Sequence, residues 1–179
     1  KAALLGLLGR DIPSLIPIRF PNGETLSLPV VDVQWGEESV SAIVVKDAGD
    51  DPDVTHGHRI VSTIRFSSHP GIHFLQGEGV GKVTLPGLGL EIGEPAINKV
   101  PRQMMEQELS ALYQGGLDVT ISVPDGRELA KRTFNPKLGI VDGISIIGTS
   151  GIVRPFSSQA FVEAIRREIE VAQALGCTH

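Results

Sequence analysis

Two-residue alternation dominates the first half of the chain. The runs LIPIRF and ETLSLPVVDV flank Pro21-Asn22-Gly23, and an Asn-Gly pair between β-rich stretches predicts a tight hairpin. SVSAIVV at 39–45 predicts a third strand and RIVSTIRF at 59–66 a fourth, with Ile60, Ile64 and Phe66 on one face. Residues 77–98 hold too many glycines and prolines for a regular element and too many apolar residues for a disordered linker, so an ordered loop is expected. Asn98 and Pro101 signal the start of a helix through VPRQMMEQELSALYQ, with Met104, Met105, Leu109 and Leu112 as its apolar stripe and Gly115-Gly116 as its stop. LDVTISV at 117–123 alternates as a strand, Pro124-Asp125-Gly126 is turn chemistry, and GRELAKRTF is read as the returning hairpin partner. GISIIGTSG predicts a short buried strand entering a turn. Ser157 or Ser158 then caps a helix in which Phe161, Ile165, Ile169 and Ala172 recur at helical spacing.

Strands come first and helices mainly after residue 98, which predicts an α+β fold, a strand-rich meander with helices packed on one side. The last helix is read as the opening of a second α/β domain, dividing the chain into 1–156 and 157–179. The start KAALLGLLG reads as the tail of a helix that begins earlier, with Leu4, Leu5, Leu7 and Leu8 facing a core and Gly9 as its stop. The ending GCTH follows a helix at a point where an α/β unit would go on to a strand. Both ends therefore read as cut.

The 179 residues are 41% apolar and 21% charged, with 21 Gly and 12 Pro, a soluble composition rich in turns. A net charge of -5 argues against a general nucleic-acid binder, which needs a basic face for phosphates. Cys177 is the single cysteine, so no internal disulfide is expected and a reducing cytoplasm fits. The apolar start is too short to cross a bilayer, and neither an export signal nor a membrane partner is expected. Oligomeric state is not legible.

The richest chemistry lies between the third and fourth strands. KDAGDDPDVTHG places Lys46, Asp47, Asp50, Asp51, Asp53 and His56 within eleven residues, bracketed by glycines and a proline. Like charges so close raise one another's pKa unless a cation or backbone N–H groups compensate, so the loop is either a source of a tuned acid or base or a plain acidic turn in which Asp bonds local backbone. The spacing lacks the Asp-x-Asp-x-Asp-Gly register of a calcium loop, so metal binding is the lesser reading and no metal ligand is assigned. His58, His69 and His73 are read as incidental. GEGVGK at 77–82 invites a phosphate-loop reading through Gly79 and Lys82, but Gln76 and Val83 stand where a Walker A loop needs Gly and Ser or Thr. Gly148-Thr149-Ser150-Gly151 is equally an anion-binding turn or an ordinary strand-to-helix turn. Arg127, Lys131, Arg132, Lys137 and Arg154 accompany only Glu128 and Asp142, so that stretch is locally positive and suited to a polycarboxylated ligand, or merely to solubility.

In order along the chain, KDAGDDPDVTHG, GEGVGKVT, GEPAINKVPRQM and TFNPKLGIVDGISIIGTSGIVRP resemble the cobalt-precorrin-5B C1-methyltransferases, the CbiD family. The resemblance covers nearly the whole chain. It implies transfer of a methyl group from S-adenosylmethionine to C1 of a small-molecule corrin precursor in anaerobic cobalamin biosynthesis, with cobalt present only as part of the substrate. Such a transfer needs in-line positioning and exclusion of water more than a protein nucleophile. On this reading Asp47, Asp50, Asp51, Asp53 and His56 govern charge or proton balance at the reacting edge, or contact the sulfonium. Lys46, Gly79, Lys82, Asn98, Arg132, Asn135, Lys137, Thr149 and Arg154 hold the macrocycle. The competing classes are a non-catalytic module that binds a tetrapyrrole or another anionic metabolite, and a metal-dependent hydrolase built on the acidic loop.

Overall fold

The two longest strands, β4 (Ser39–Val45) and β5 (Arg59–Phe66), pair antiparallel with Val40 opposite Ile64 and Val45 opposite Arg59. A computed structural model describes residues 1–148, 151–153 and 158–177, apart from the side chains at 159–161, 163 and 164. On one flank of the pair runs β3 (Asp32–Trp35), and on the other β8 (Leu117–Ser122) followed by β6 (Ile72–Gln76). All neighbours are antiparallel except β6, which runs parallel to β8. The fold is α+β.

One face of this sheet is the core. Val40, Ile64, Leu117, Val119 and Ile121 are buried on it, as two-residue alternation requires. The same cluster receives Leu4 from α1 (Ala2–Leu7), Leu109 from α2 (Lys99–Ser110) and Leu129 from α3 (Gly126–Ala130), so these helices share one face of the sheet. The other face is half-open and polar, with Ser41 and Thr63 hydroxyls 2.7 Å apart and Arg65 paired with Asp118 at 2.8 Å, as an antiparallel sheet with one solvated side allows.

The Asn-Gly hairpin forms from β1 (Leu15–Arg19) and β2 (Thr25–Pro29), with Gly23 at φ +87°. ETLSLPVVDV is not one strand, however. It breaks after Pro29, and Asp32 onward joins a different sheet as β3. The expected hairpin at 124–126 is also corrected: GRELA is helix α3, and β8 already has β5 on one side and β6 on the other, leaving no free edge for a returning strand. The loop at 77–98 is ordered, with Val80, Val83, Ala96 and Ile97 fully enclosed, and it contains β7 (Lys82–Val83), paired to β9 (Ile140–Val141). GISIIG makes only isolated bridges, Ile144 to Val80 and Ile146 to Ile97, in place of a continuous strand.

α2 ends at Ser110, earlier than expected. In α4 (Ser158–Ala174) Ile165 and Ile169 are 46% and 51% exposed, so the predicted stripe is not the docking face. Val171 instead enters a satellite cluster with Val83, Leu88, Ala96 and Ile140. Ser157 and the side chain of Phe161 lie outside the described residues.

Candidate active site

The strand registers carry three loops to one end of the five-stranded sheet. Val45 and Arg59 bracket residues 46–58, Ser122 leads into Pro124-Asp125-Gly126, and Gln76 leads into Gly77-Glu78-Gly79. These loops meet because β8 lies between β5 and β6 with its C-terminal end beside the start of β5 and the end of β6.

Within the first loop, crowding of carboxylates is relieved locally. Lys46 Nζ donates to Asp53 Oδ2 at 2.5 Å and to Thr55 Oγ1 at 2.7 Å, while Asp53 Oδ1 accepts from the Thr55 N–H at 2.7 Å. Burial alone would raise the Asp53 pKa, but the bonds from Lys46 and Thr55 and the Lys46 charge outweigh it and hold the carboxyl below its ordinary 3.8. Asp47 is 87% exposed and accepts the Gly49 N–H at 2.8 Å, an Asx turn. His56 Nδ1 lies 3.9 Å from Asp47 but accepts the Ala48 N–H at 3.0 Å. An Nδ1 that accepts cannot also donate, so in this contact the ring's proton is on Nε2 and the Asp47 approach is not a hydrogen bond. Asp50 is exposed, Asp51 half-buried, and neither side chain bonds a described residue. Among the five predicted acid–base groups these two are the ones left open.

The Asp53 geometry carries a pH prediction. Its folded pKa is depressed, so its stabilising contribution is complete above 3.8 and is lost as the pH falls through the folded value. With the Lys46 and Asp53 side chains 31% and 24% exposed, Asp53→Asn is expected to cost about 1–2 kcal/mol at neutral pH and progressively less in acid. Urea unfolding of both proteins across that range reads the difference, and a constant gap would contradict the pairing.

Beside this loop lies a groove of about 520 Å³ lined by Glu78, Asp125, Glu128 and Asp142, with Arg127 as its cation. Arg127 pairs with Asp142 at 3.1 Å, and Glu128 with Lys131 at 2.7 Å. Gly79, which lines the groove, is one of three glycines packed backbone to backbone as a common floor beneath these loops. A Cβ on Gly79 would lie 1.8 Å from the Val123 carbonyl oxygen, one on Gly126 2.0 Å from the Gly79 oxygen, and one on Gly143 2.2 Å from the same atom. His58 Nδ1 and Asp125 Oδ2 are 3.0 Å apart, linking loop to groove.

Glu78, Asp125, Glu128, Asp142 and His58 are not singled out by the sequence alone. The available signal was the recurrence of Gly-Glu-Gly, Pro-Asp-Gly and Val-Asp-Gly, each with an acid beside a glycine at the end of an apolar run. Turn chemistry explains each alone, and only the sheet brings them together.

The predicted macrocycle-binding residues are spread more widely. Gly79 sits at φ +70° in the glycine floor. Lys82 is exposed on β7. Asn98 precedes α2 without a side-chain cap and takes its own N–H to the Ile146 carbonyl at 2.9 Å. Asn135 is buried and fully engaged, donating to the Gly143 carbonyl and accepting from Ser145 Oγ, each at 3.1 Å. Arg132 is exposed with no described side-chain partner, and Lys137 stands 5.5 Å over the half-exposed Phe134 ring. Thr149 and Arg154 lie outside the described residues. Among the described residues no group of three or more His, Cys, Asp or Glu could hold a metal ion, and no helix is long and apolar enough to cross a membrane.

The family model for CbiD matches residues 1–155. The chain belongs to the CbiD family. It is 49% identical to a cobalt-precorrin-5B C(1)-methyltransferase of Geobacillus thermodenitrificans, an alignment covering 100% of this chain and 50% of the relative. A protein of the same description from Pseudomonas aeruginosa is 49% identical over 99% of this chain and 50% of its own length. The 1.9 Å crystal structure of a cobalamin biosynthesis protein (CbiD) from Archaeoglobus fulgidus superposes with a TM-score of 0.60 at 28% identity, over 93% of this CbiD-family chain and 55% of that one. The chain thus spans about half the length of the curated relatives it matches.

Proposed function

We propose that this chain forms part of a cytoplasmic enzyme that transfers the methyl group of S-adenosylmethionine to C1 of cobalt-precorrin-5B. The observation that carries the reading is 49% identity, across the whole chain, to proteins described as performing C1 methylation of that corrin. The charges of the site support it. S-adenosylmethionine bears a sulfonium and an ammonium, and this end of the sheet carries Glu78 and Asp125 in the groove and the open Asp50 and Asp51 in the loop tied to it through His58, carboxylates that suit a cationic donor. The corrin precursor is a polycarboxylate, which such a lining repels. Arg132 and Lys137 suit it better, beyond the end of α3, whose first residues face the groove. Donor and acceptor would then approach from sides of opposite charge. The end of the family match at residue 155 supports reading 157–179 as the start of a second α/β unit.

In a full-length enzyme carrying this sequence, Arg132→Ala and Lys137→Ala are each expected to weaken corrin binding about three- to tenfold, with the difference shrinking as salt is added. Fluorescence or calorimetric titration at two ionic strengths measures this. Unchanged affinity in both variants would remove these residues from the corrin site. Consumption of S-adenosylmethionine only when the corrin is present separates the enzyme from a binding module.

A further inference from the structure

We propose that His58 is a positioning residue, whose Nδ1–H holds Asp125 and thereby fixes the acidic loop against the groove. The functional part of this inference rests on reading loop and groove as one methyl-transfer site. The structural part stands alone. Hydrogen bonds of the loop close on the loop itself: Lys46 to Asp53 and Thr55, Ala48 to His56, Asp51 to Ala48, and Gly57 to Lys46. Beneath them Val54 packs against the main core and anchors the stem. Among the described residues, His58 to Asp125 at 3.0 Å is the one hydrogen bond that leaves residues 46–58 for another loop.

Both main-chain groups of His58 are committed at the base of the loop. Its N–H donates to the Thr55 carbonyl at 3.2 Å, and its carbonyl accepts from the Lys46 N–H at 3.0 Å. The backbone is therefore held while the imidazole reaches across to a groove-lining side chain. An ionised carboxylate only accepts, so the proton of the neutral ring sits on Nδ1, a tautomer chosen by this contact. His56, two residues earlier, accepts at the same atom from the Ala48 N–H and so carries the opposite tautomer. Two histidines of one loop are thus distinguishable by which nitrogen bears the proton.

The test uses the purified chain and needs neither donor nor corrin. His58→Leu is expected to speed exchange of the bonded Thr55 and Gly57 amides about tenfold, the change expected when one charge-assisted bond closing the loop is lost, while β5 and β8 amides keep their rates. Asp125→Leu should do the same, and the double variant should add nothing further. His58→Asn, whose Nδ2–H lies at the same distance from the backbone as Nδ1–H, should restore slow exchange. Nitrogen-15 spectra should show the His58 proton on Nδ1 and the His56 proton on Nε2. Unchanged exchange in His58→Leu, additive single variants, or a His58 ring protonated only at Nε2 would each overturn the tie.

For the functional part, methyl transfer by the full-length enzyme should fall about tenfold in His58→Leu and recover in His58→Asn. A demonstrably loosened loop with an unchanged transfer rate would overturn the positioning role. Absence of transfer in the unmodified enzyme, with the tie intact, would instead sink the methyltransferase reading.

Discussion

Gly79→Ala is expected to destabilise the fold by about 4 kcal/mol or more, enough to leave a marginal domain largely unfolded. Its backbone lies at φ +70°, where an alanine is strained. The larger effect is steric, because the new Cβ would sit 1.8 Å from the Val123 carbonyl oxygen and 2.9 Å from the Gly126 nitrogen. Main chain cannot swing aside as a side-chain tip can. The loops are also bonded through this point, with Ile144 N–H donating to the Gly79 carbonyl at 2.9 Å and Val123 N–H to the Glu78 carbonyl at 2.8 Å. Gly49→Ala is the control, since its φ is +58° but no atom lies within 4 Å of the added Cβ. It should cost only the conformational strain, about 1–2 kcal/mol. Thermal unfolding of the two variants separates close packing from backbone preference, and equal losses would show that the glycine floor is not tightly packed.

The second large effect is expected in catalysis. Asp50→Asn combined with Asp51→Asn should lower single-turnover methyl transfer by a full-length enzyme about 10²-fold. Removing both charges takes away the loop carboxylates that no described residue engages. Stability should hardly change, because neither side chain bonds a described residue and polar substitutions away from such bonds usually fall within about 0.5 kcal/mol. Asp53→Asn behaves differently, since the amide nitrogen that replaces Oδ2 cannot accept the Lys46 bond, while Oδ1 still accepts from Thr55. The same acid-to-amide change therefore reports on chemistry at 50 and 51 and on architecture at 53.

Local periodicity made β4, β5 and β8 legible, because each alternates over six or more residues against a single apolar face. It failed where the decision is made elsewhere in the fold. β6 is only five residues long, and its parallel pairing to β8 leaves no turn signal in the chain. GRELAKRTF reads as a strand until both sides of β8 are known to be occupied. The α4 stripe at Ile165 and Ile169 is truly amphipathic, yet the described contact comes from Val171 through its approach to Gly87, where an added Cβ would meet the Val171 Cα at 2.9 Å. The acidic loop was legible as a cluster. Its division into a paired Asp53, a turn-forming Asp47 and the open Asp50 and Asp51 needed geometry, because Lys46 and Thr55 bracket all four carboxylates in sequence but bond only one of them. The groove was the least visible feature, since its acids come from three turns separated by up to 64 residues.

The role proposed for the carboxylate loop and groove at the sheet end is methyl transfer to the corrin. The most direct measurement is single-turnover transfer of an isotopically labelled methyl group from S-adenosylmethionine to cobalt-precorrin-5B, using full-length enzyme with and without Asp50→Asn and Asp51→Asn. The label should appear at C1 with the unmodified protein and about 10²-fold more slowly with the equally stable double variant. Equal rates in the two proteins, or corrin binding with no label transferred by the unmodified one, would contradict it.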